Sequence, residues 1–427
     1  MNKAIDHQHL KTEQANTQHG GCGAEKGLIS IDQALALMVE NTQALAVETL
    51  PLNLALNRYI SEDIYSNINL PLFSQSAVDG YALCSNSAIS AQSRFELIGE
   101  IRAGQNTEIT LNEGQALRIF TGAKIPVGTT TVARQEIVQL ENQDICITEN
   151  LALHADIRDM GEELALGQLL ASAGQKLTVG AIASLSMAGI KHISVQRFPK
   201  IAVVITGDEV ADTVEDLDSG KIFDANAPMI EAWFKAQNQQ VTMLHVADTA
   251  EDVAACFKHL KNDYDLIIST GGVSVGDYDF VRPVALAQGF KQIFWKVKQK
   301  PGKPMLFAQF QREDQSRCSL LGLPGNPAAV YIGLQIYVQT MLQALQAEKQ
   351  PLQWATGILQ HDLKADARER FLRMHAVFEQ GTLKLRSLAK QQSHMLSNLM
   401  HANCIVRVPA AEAIQAGSVL QVLFIQQ

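Results

Sequence analysis

Residues 264–280 read YDLIISTGGVSVGDYDF. The apolar run Leu266-Ile267-Ile268 has the length of a buried strand and stops at Ser-Thr-Gly-Gly. A strand that empties into glycines brings backbone N–H groups close to whatever lies above it, because no side chain holds a phosphate away. Gly271, Gly272 and Gly276 surround Ser274, and Asp277 and Asp279 follow at once. A bare βα turn is the plainer alternative. The density of glycine, serine and aspartate favours an anion cradle beside carboxylates, as in an enzyme for a phosphorylated ligand with a divalent metal.

Upstream, IAVVIT (201–206) and VTMLHV (241–246) read as strands. Asn226 reads as a helix cap with Pro228 in the first turn, and Thr249 opens the next helix. This alternation predicts an open, mostly parallel α/β sheet with helices on both faces. Ligands bind such sheets beyond the carboxyl ends of the strands. Those ends hold Gly207-Asp208-Glu209, Ala247-Asp248 and the glycine loop. Asp208 reads equally as a turn residue. Glu209, Asp248 and Asp279 at one sheet edge would repel one another unless a cation sits between them, and Mg²⁺ suits such oxygen ligands.

Downstream, FWKVKQKPGKP (294–304) is the dense basic patch of the chain. On one strand Lys296, Lys298 and Lys300 would share a face. An edge strand guarded by lysines is the alternative to anion binding. Pro301-Gly302 forces a turn that aims Lys300 and Lys303 back at the sheet edge. In GLPGNP (322–327), Asn326 reads as the cap and Pro327 as the first residue of a long helix. Residues 350–427 alternate apolar and polar positions between turns, as a small all-β domain does.

Toward the N-terminus, Ser30-Ile31-Asp32-Gln33 is a capping box for a helix ending near Gln43. Residues 50–165 read as a β-rich module, and TVGAIASLSMAGI (178–190) as a helix closed by Gly189. Asp79-Gly80 in SAVDGYA reads as a hairpin turn and Thr121-Gly122 as another. Residues 1–26 read as a disordered polar tail, where His7, His9, His19 and Cys22 match no ligand spacing.

The 427 residues call for several domains. Lys+Arg 35 against Asp+Glu 44 gives −9, which disfavours nucleic acid and anionic membranes as partners. No apolar run reaches the roughly 20 residues of a membrane helix. The N-terminus lacks a signal-peptide core. The scattered cysteines contain no C-x-x-C pair. A cytoplasmic enzyme is therefore expected.

Taken in order, LISIDQAL, SAVDGYA, RIFTGAKIPVG, IRDMGEE, STGDEV, STGGVSVGDYD, KPGKP, GLPGNP and ANCIVRVP resemble the molybdopterin molybdenumtransferase family, which includes the E domain of gephyrin. The resemblance runs from about residue 27 to the C-terminus. It implies insertion of molybdate into adenylylated molybdopterin with release of AMP, Mg²⁺ dependence, and an elongated homodimer with the active cleft between subunits. It also implies an elongated linker domain (27–49 and 166–197), a β-rich domain (50–165), a molybdopterin-binding α/β domain (198–349) and a C-terminal small β-barrel (350–427). Glu209, Asp248 and Asp279 match functional carboxylates and metal ligands. Asp79 and Thr121 match catalytic groups supplied by the partner chain. Arg158, Gly207, Asp208, Gly271, Gly272, Ser274, Gly276, Lys296, Lys300, Lys303, Pro324, Gly325, Asn326, Arg368 and Ser393 match substrate-binding positions. The molybdopterin adenylyltransferase of the same pathway is an expected partner. An enzyme of that adenylyltransferase type, or a gephyrin-like scaffold, is the alternative function.

The chain departs from the family pattern in places. Val78 stands where Met is usual, and Glu163 where Asp is usual. TTTVA (129–133) replaces an acidic-apolar run, and Ala328-Ala329 replaces a run that often carries serine.

Overall fold

The structure is a computed structural model that describes residues 27–105, 108–207, 218, 220–273, 279–348 and 352–425. The chain divides into two compact units. One takes in the described parts of Met1–Gln43, Pro199–Ala344 and Gln350–Gln427; the other comprises Ala44–Phe198 and Leu345–Lys349.

The first unit is built on a six-stranded sheet in the order Val241–Val246, Ile201–Thr206, Leu266–Thr270, Arg317–Leu323, Leu306–Gln311, Lys291–Trp295. The first four strands are parallel, and Leu306–Gln311 runs against both of its neighbours. Ile201–Thr206 is buried at every position, as a strand covered on both faces must be. Ala202, Val204 and Ile267 pack on Val253, Phe257, Val281 and Val284 of two helices. Each such aliphatic or aromatic side chain contributes about 1.5–3 kcal/mol by leaving water. Thr249 caps Ala250–Asp263 as expected, its hydroxyl accepting from the Asp252 N–H at 3.1 Å.

The other expected cap differs. Helix Asn226–Ala236 is capped by Asp224, whose Oδ1 accepts from the N–H groups of Asn226 and Ala227. Asn226 lies one turn position too late to cap, and its side chain donates to Gly325 O at 2.9 Å instead. The basic patch is not one strand either. Lys291–Trp295 ends where Lys296 takes φ +86°, and a new short strand, Gln299–Lys300, begins after it. Only Lys298 and Lys300 alternate outward, against buried Val297 and Gln299.

Helix Pro327 to Leu345 starts at the GLPGNP turn, with Pro327 in its first turn, and passes through a π-helical stretch at Leu334–Val338. By length and composition it could cross a membrane, but 78% of its apolar window is buried inside the protein, so it is a core helix.

Residues Ala355–Phe424 form a closed barrel. The strands run Glu369–Glu379, Thr382–Ser387, Ala355–Leu359, Val419–Phe424, Cys404–Val408, and the last pairs back onto Glu369–Glu379. Met374, Leu385, Val406 and Val422 fill it. Closure removes the free edges that would invite aggregation. Gln299–Lys300 adds in parallel to Glu369–Arg370, which carries the lysine turn to the barrel wall.

Residues 27–43 also belong to this unit. The capping box forms, with Ser30 and Gln33 bonding reciprocally at 3.0 and 3.1 Å, and the helix spans Ile31–Asn41. Asn41 O accepts from Gln309 and Arg317, and Arg407 grips Asp32 with both terminal nitrogens at 2.8 Å. These polar contacts draw the helix to the sheet and barrel, while Val47–Pro51 pairs with His192–Gln196.

In the second unit a six-stranded sheet runs Thr131–Arg134, Gly80–Leu83, Gln115–Ile119, Arg94–Ile101, Asp144–Ile147, Val138–Glu141. Leu52, Ile60, Ala171, Leu177, Leu185 and Val195 form a separate core. Asp79-Gly80 is not a hairpin turn. Gly80 opens an interior strand, where a Cβ would sit 2.0 Å from Ala133 O, so glycine is required by the neighbouring strand rather than by a turn.

Candidate functional site

At the carboxyl ends of the parallel strands the loops after Leu266–Thr270 and Arg317–Leu323 meet. The chain leaves Leu266–Thr270 through Gly271 (φ +88°) and Gly272 (φ +62°), left-handed conformations that favour glycine. Space demands glycine as well: a Cβ on Gly271 would lie 2.9 Å from Thr206 Oγ1, and one on Gly272 2.8 Å from a Val281 methyl. Gly325 lies against Gly271, with its would-be Cβ 3.6 Å from the Gly271 Cα. The Gly271 N–H is committed to Leu323 O at 3.1 Å, so this amide is not one of the anion donors.

Between these loops and the barrel wall lies a cleft of about 330 Å³. Asp279, Lys300, Lys303, Arg368 and Ser393 line it together with Gly272, Pro324, Gly325 and Asn326. The Pro301-Gly302 turn, with Gly302 at φ +85°, doubles back so that Val297 N–H reaches Lys303 O at 2.9 Å. Lys300 and Lys303 thereby face one space, as the sequence suggested. Lys300 Nζ pairs with Asp366 at 2.7 Å. That hydrogen bond is the main reason the Asp366 carboxyl is held below the usual carboxylate range. Arg368 donates to Gln299 O at 3.1 Å. Three cations and one carboxylate lining a cleft make a receptor for a multiply charged anion.

Gln391 and Gln392 also line the cleft, and sequence reading missed them. Their loop is held by Arg373, which is only 2% exposed and donates to the carbonyls of Lys390, Gln392 and Met395. Asp366 was missed too. The crowded charges of DARER (366–370) were the available signal.

Other predicted residues lie elsewhere. Lys296 does not line the cleft; its Nζ sits 4.2 Å from the Trp295 ring centroid, while the Trp295 indole N–H donates to Val273 O. Gly207 directly follows Ile201–Thr206, and Asp248 lies two residues beyond Val241–Val246, the sheet's outer strand. Asp208, Glu209, Ser274 and Gly276 fall outside the described residues. Among the described residues no three acidic, histidine or cysteine side chains cluster as metal ligands. The described members of the expected set, Asp248 and Asp279, offer only oxygen, the donor chemistry that suits Mg²⁺.

In the second unit Asp79 and Thr121 are brought together. Asp79 Oδ1 accepts from both the N–H and the hydroxyl of Thr121. Arg118, stacked over the Tyr81 and Phe120 rings, adds positive charge near the carboxylate. Arg158 lies in the short strand Ile157–Arg158, paired with Gln75–Ser76.

Residues 29–189 match the MoeA N-terminal region (domain I and II), 202–344 a probable molybdopterin binding domain, and 356–425 the MoeA C-terminal region (domain IV). A molybdopterin molybdenumtransferase of Haemophilus influenzae is 32% identical over 386 residues, covering 89% of this chain and 94% of its own length. The chain belongs to the molybdopterin molybdenumtransferase family. The Staphylococcus epidermidis family member is 30% identical, over 92% of this chain and 95% of its own. Among solved structures, the molybdopterin biosynthesis moeA protein of Pyrococcus horikoshii OT3 has a TM-score of 0.79 at 24% identity, covering 93% of this chain and all (100%) of its own. It shares the multidomain fold. Within the family frame, the cleft joins the probable molybdopterin binding domain to the C-terminal region.

Proposed function

We propose that this chain is a Mg²⁺-dependent molybdopterin molybdenumtransferase that inserts molybdate into adenylylated molybdopterin and releases AMP. The observation that carries the proposal is the convergence of Lys300, Lys303, Arg368, Ser393 and Asp279 on one cleft beside the glycine loop. The lysines and Arg368 hold the molybdate and the terminal phosphate, and Ser393 orients an oxo group. As two dithiolene thiols bond to molybdenum, their two protons and one oxo group leave as water. A second water cleaves the phosphoanhydride to give AMP and the molybdopterin phosphate. Asp279 carries protons between these groups. Mg²⁺, when bound, offsets charge on the phosphoanhydride. Asp248 and Asp279, with Glu209, are the residues that would hold it.

Asp79, Thr121 and Arg158 complete the cleft of a second copy in this reading, so the working unit is a homodimer that acts in the cytoplasm. The adenylyltransferase alternative accounts for the α/β domain alone. Similarity that spans the N-terminal and C-terminal regions favours the transferase. The scaffold alternative draws on none of the cleft's charge.

The test is to incubate the purified protein with adenylylated molybdopterin, molybdate and Mg²⁺, then measure AMP and active cofactor. Absence of both, while a working relative turns over alongside, would refute the proposal.

A further inference from the structure

Gln299 sits between two lysines of the basic patch, yet it is buried to 1% exposure. A buried amide must satisfy its hydrogen bonds, and Gln299 is bonded to two residues that line the cleft, Gly302 and Arg368, and to Tyr337 of the core helix. Its Nε2 donates to Gly302 O at 3.1 Å, closing the turn that carries Lys300 and Lys303. Its backbone carbonyl accepts from Arg368 at 3.1 Å. Its Oε1 accepts from the hydroxyl of Tyr337.

Tyr337 is fully buried and belongs to the π-helical stretch Leu334–Val338 of the core helix. Such widened turns recur beside functional sites, where they re-aim a side chain. Burial pushes the Tyr337 phenol well above its ordinary range, so it stays a neutral donor at any working pH. A chain of polar contacts thus runs from the core helix through Gln299 to the lysine turn and Arg368. Gly302 packs against the same helix, its would-be Cβ 3.6 Å from the Ala329 Cβ. The cations lining the cleft are therefore referenced to a rigid element rather than to a free loop.

We infer that Gln299 and Tyr337 are positioning residues, which fix the spacing of Lys300, Lys303 and Arg368 for a tetrahedral oxyanion. The inference rests on the reading of the cleft given above, and the test separates the two.

Tyr337→Phe strands the Gln299 oxygen in the core and is expected to lower the thermal midpoint. The double variant Gln299→Met/Tyr337→Phe removes both polar groups at similar volume and should melt within a few degrees of the parent, as matched apolar replacements do. Amide hydrogen exchange is read first, without ligand. In the double variant, exchange over residues 299–305 should quicken roughly tenfold while the barrel strands keep their protection. Unchanged exchange there overturns the inference, whatever molybdate does. Molybdate binding is read second, by equilibrium dialysis at fixed ionic strength. The dissociation constant of the double variant should rise roughly five- to tenfold, the size of one or two lost hydrogen bonds. Equal affinity in parent and double variant also overturns the inference. If exchange quickens but the parent binds no molybdate, the positioning stands and the reading of the cleft fails.

Discussion

Thr121 directs two hydrogen bonds at a single oxygen of Asp79: its N–H and its hydroxyl each lie 2.8 Å from Asp79 Oδ1. The backbone N–H is the larger reason that the Asp79 carboxyl sits below its ordinary value of 3.8, the hydroxyl is next, and Arg118 adds to them. A lowered carboxyl pKa means that the carboxylate persists to lower pH than a free aspartate. Any stability it lends is complete above 3.8 and is lost as pH falls through the lower folded value.

We predict that Thr121→Val moves the Asp79 titration upward but not fully to the free value, because the amide bond remains. A carboxyl-carbon NMR titration reads this directly. A midpoint that does not move would show that the hydroxyl contributes nothing.

Asp279 lines the cleft and Asp79 lies on an exposed loop. Asp279→Asn and Asp79→Asn are each expected to slow AMP release by ~10²-fold, the scale of a lost proton carrier. Thermal midpoints should stay within about 2 °C of the parent, since neither change touches a core. Normal turnover in either variant removes that residue from the mechanism.

Lys300 holds Asp366 ionised and faces the cleft. In Lys300→Gln the Asp366 titration should rise toward 3.8, because its largest stabilising partner is gone. Molybdate affinity should fall about tenfold at low salt and by less at 1 M, where the Debye length is about 3 Å. An affinity loss independent of salt would point to altered shape rather than lost charge.

Glycine replacements should divide by space. Gly80→Ala would drive a Cβ to 2.0 Å from Ala133 O in an interior strand, and Gly271→Ala would set one 2.9 Å from Thr206 Oγ1 at φ +88°. Each is expected to cost about 3 kcal/mol or more. Gly167→Ala has a positive φ but nothing within 4 Å, and should cost only the backbone strain of about 1 kcal/mol. Denaturant unfolding of the three variants ranks them, and a Gly167→Ala loss equal to the others would sink the steric argument.

The sheet was legible because its signal is local: apolar runs of strand length ending in glycine, with caps at Thr249 and Ser30. The lysine turn was legible for the same reason, since Pro301-Gly302 leaves the backbone few choices. Asp79 and Thr121 are named by the family resemblance, but their contact has no local signal. Their meeting depends on pairing Gly80–Leu83 with Gln115–Ile119, and no local pattern encodes which strands become neighbours. The cap at Asn226 was misplaced because an aspartate two residues earlier competes for the same amides. Gln299 gave no signal either, because a glutamine between lysines looks solvated until the core helix is laid against it.

The grip of Arg407 on Asp32 joins residues 375 positions apart. At about 5–20 residues per second, the arginine leaves the ribosome on the order of 20–75 s after the aspartate. An isolated helix of 11 residues is marginal in water, so Ile31–Asn41 waits without its partners while residues 44–198 emerge and find a core of their own. Ile31–Asn41 is thus made well before the arginine that fastens it, and a nascent chain cut short before residue 407 lacks this fastening.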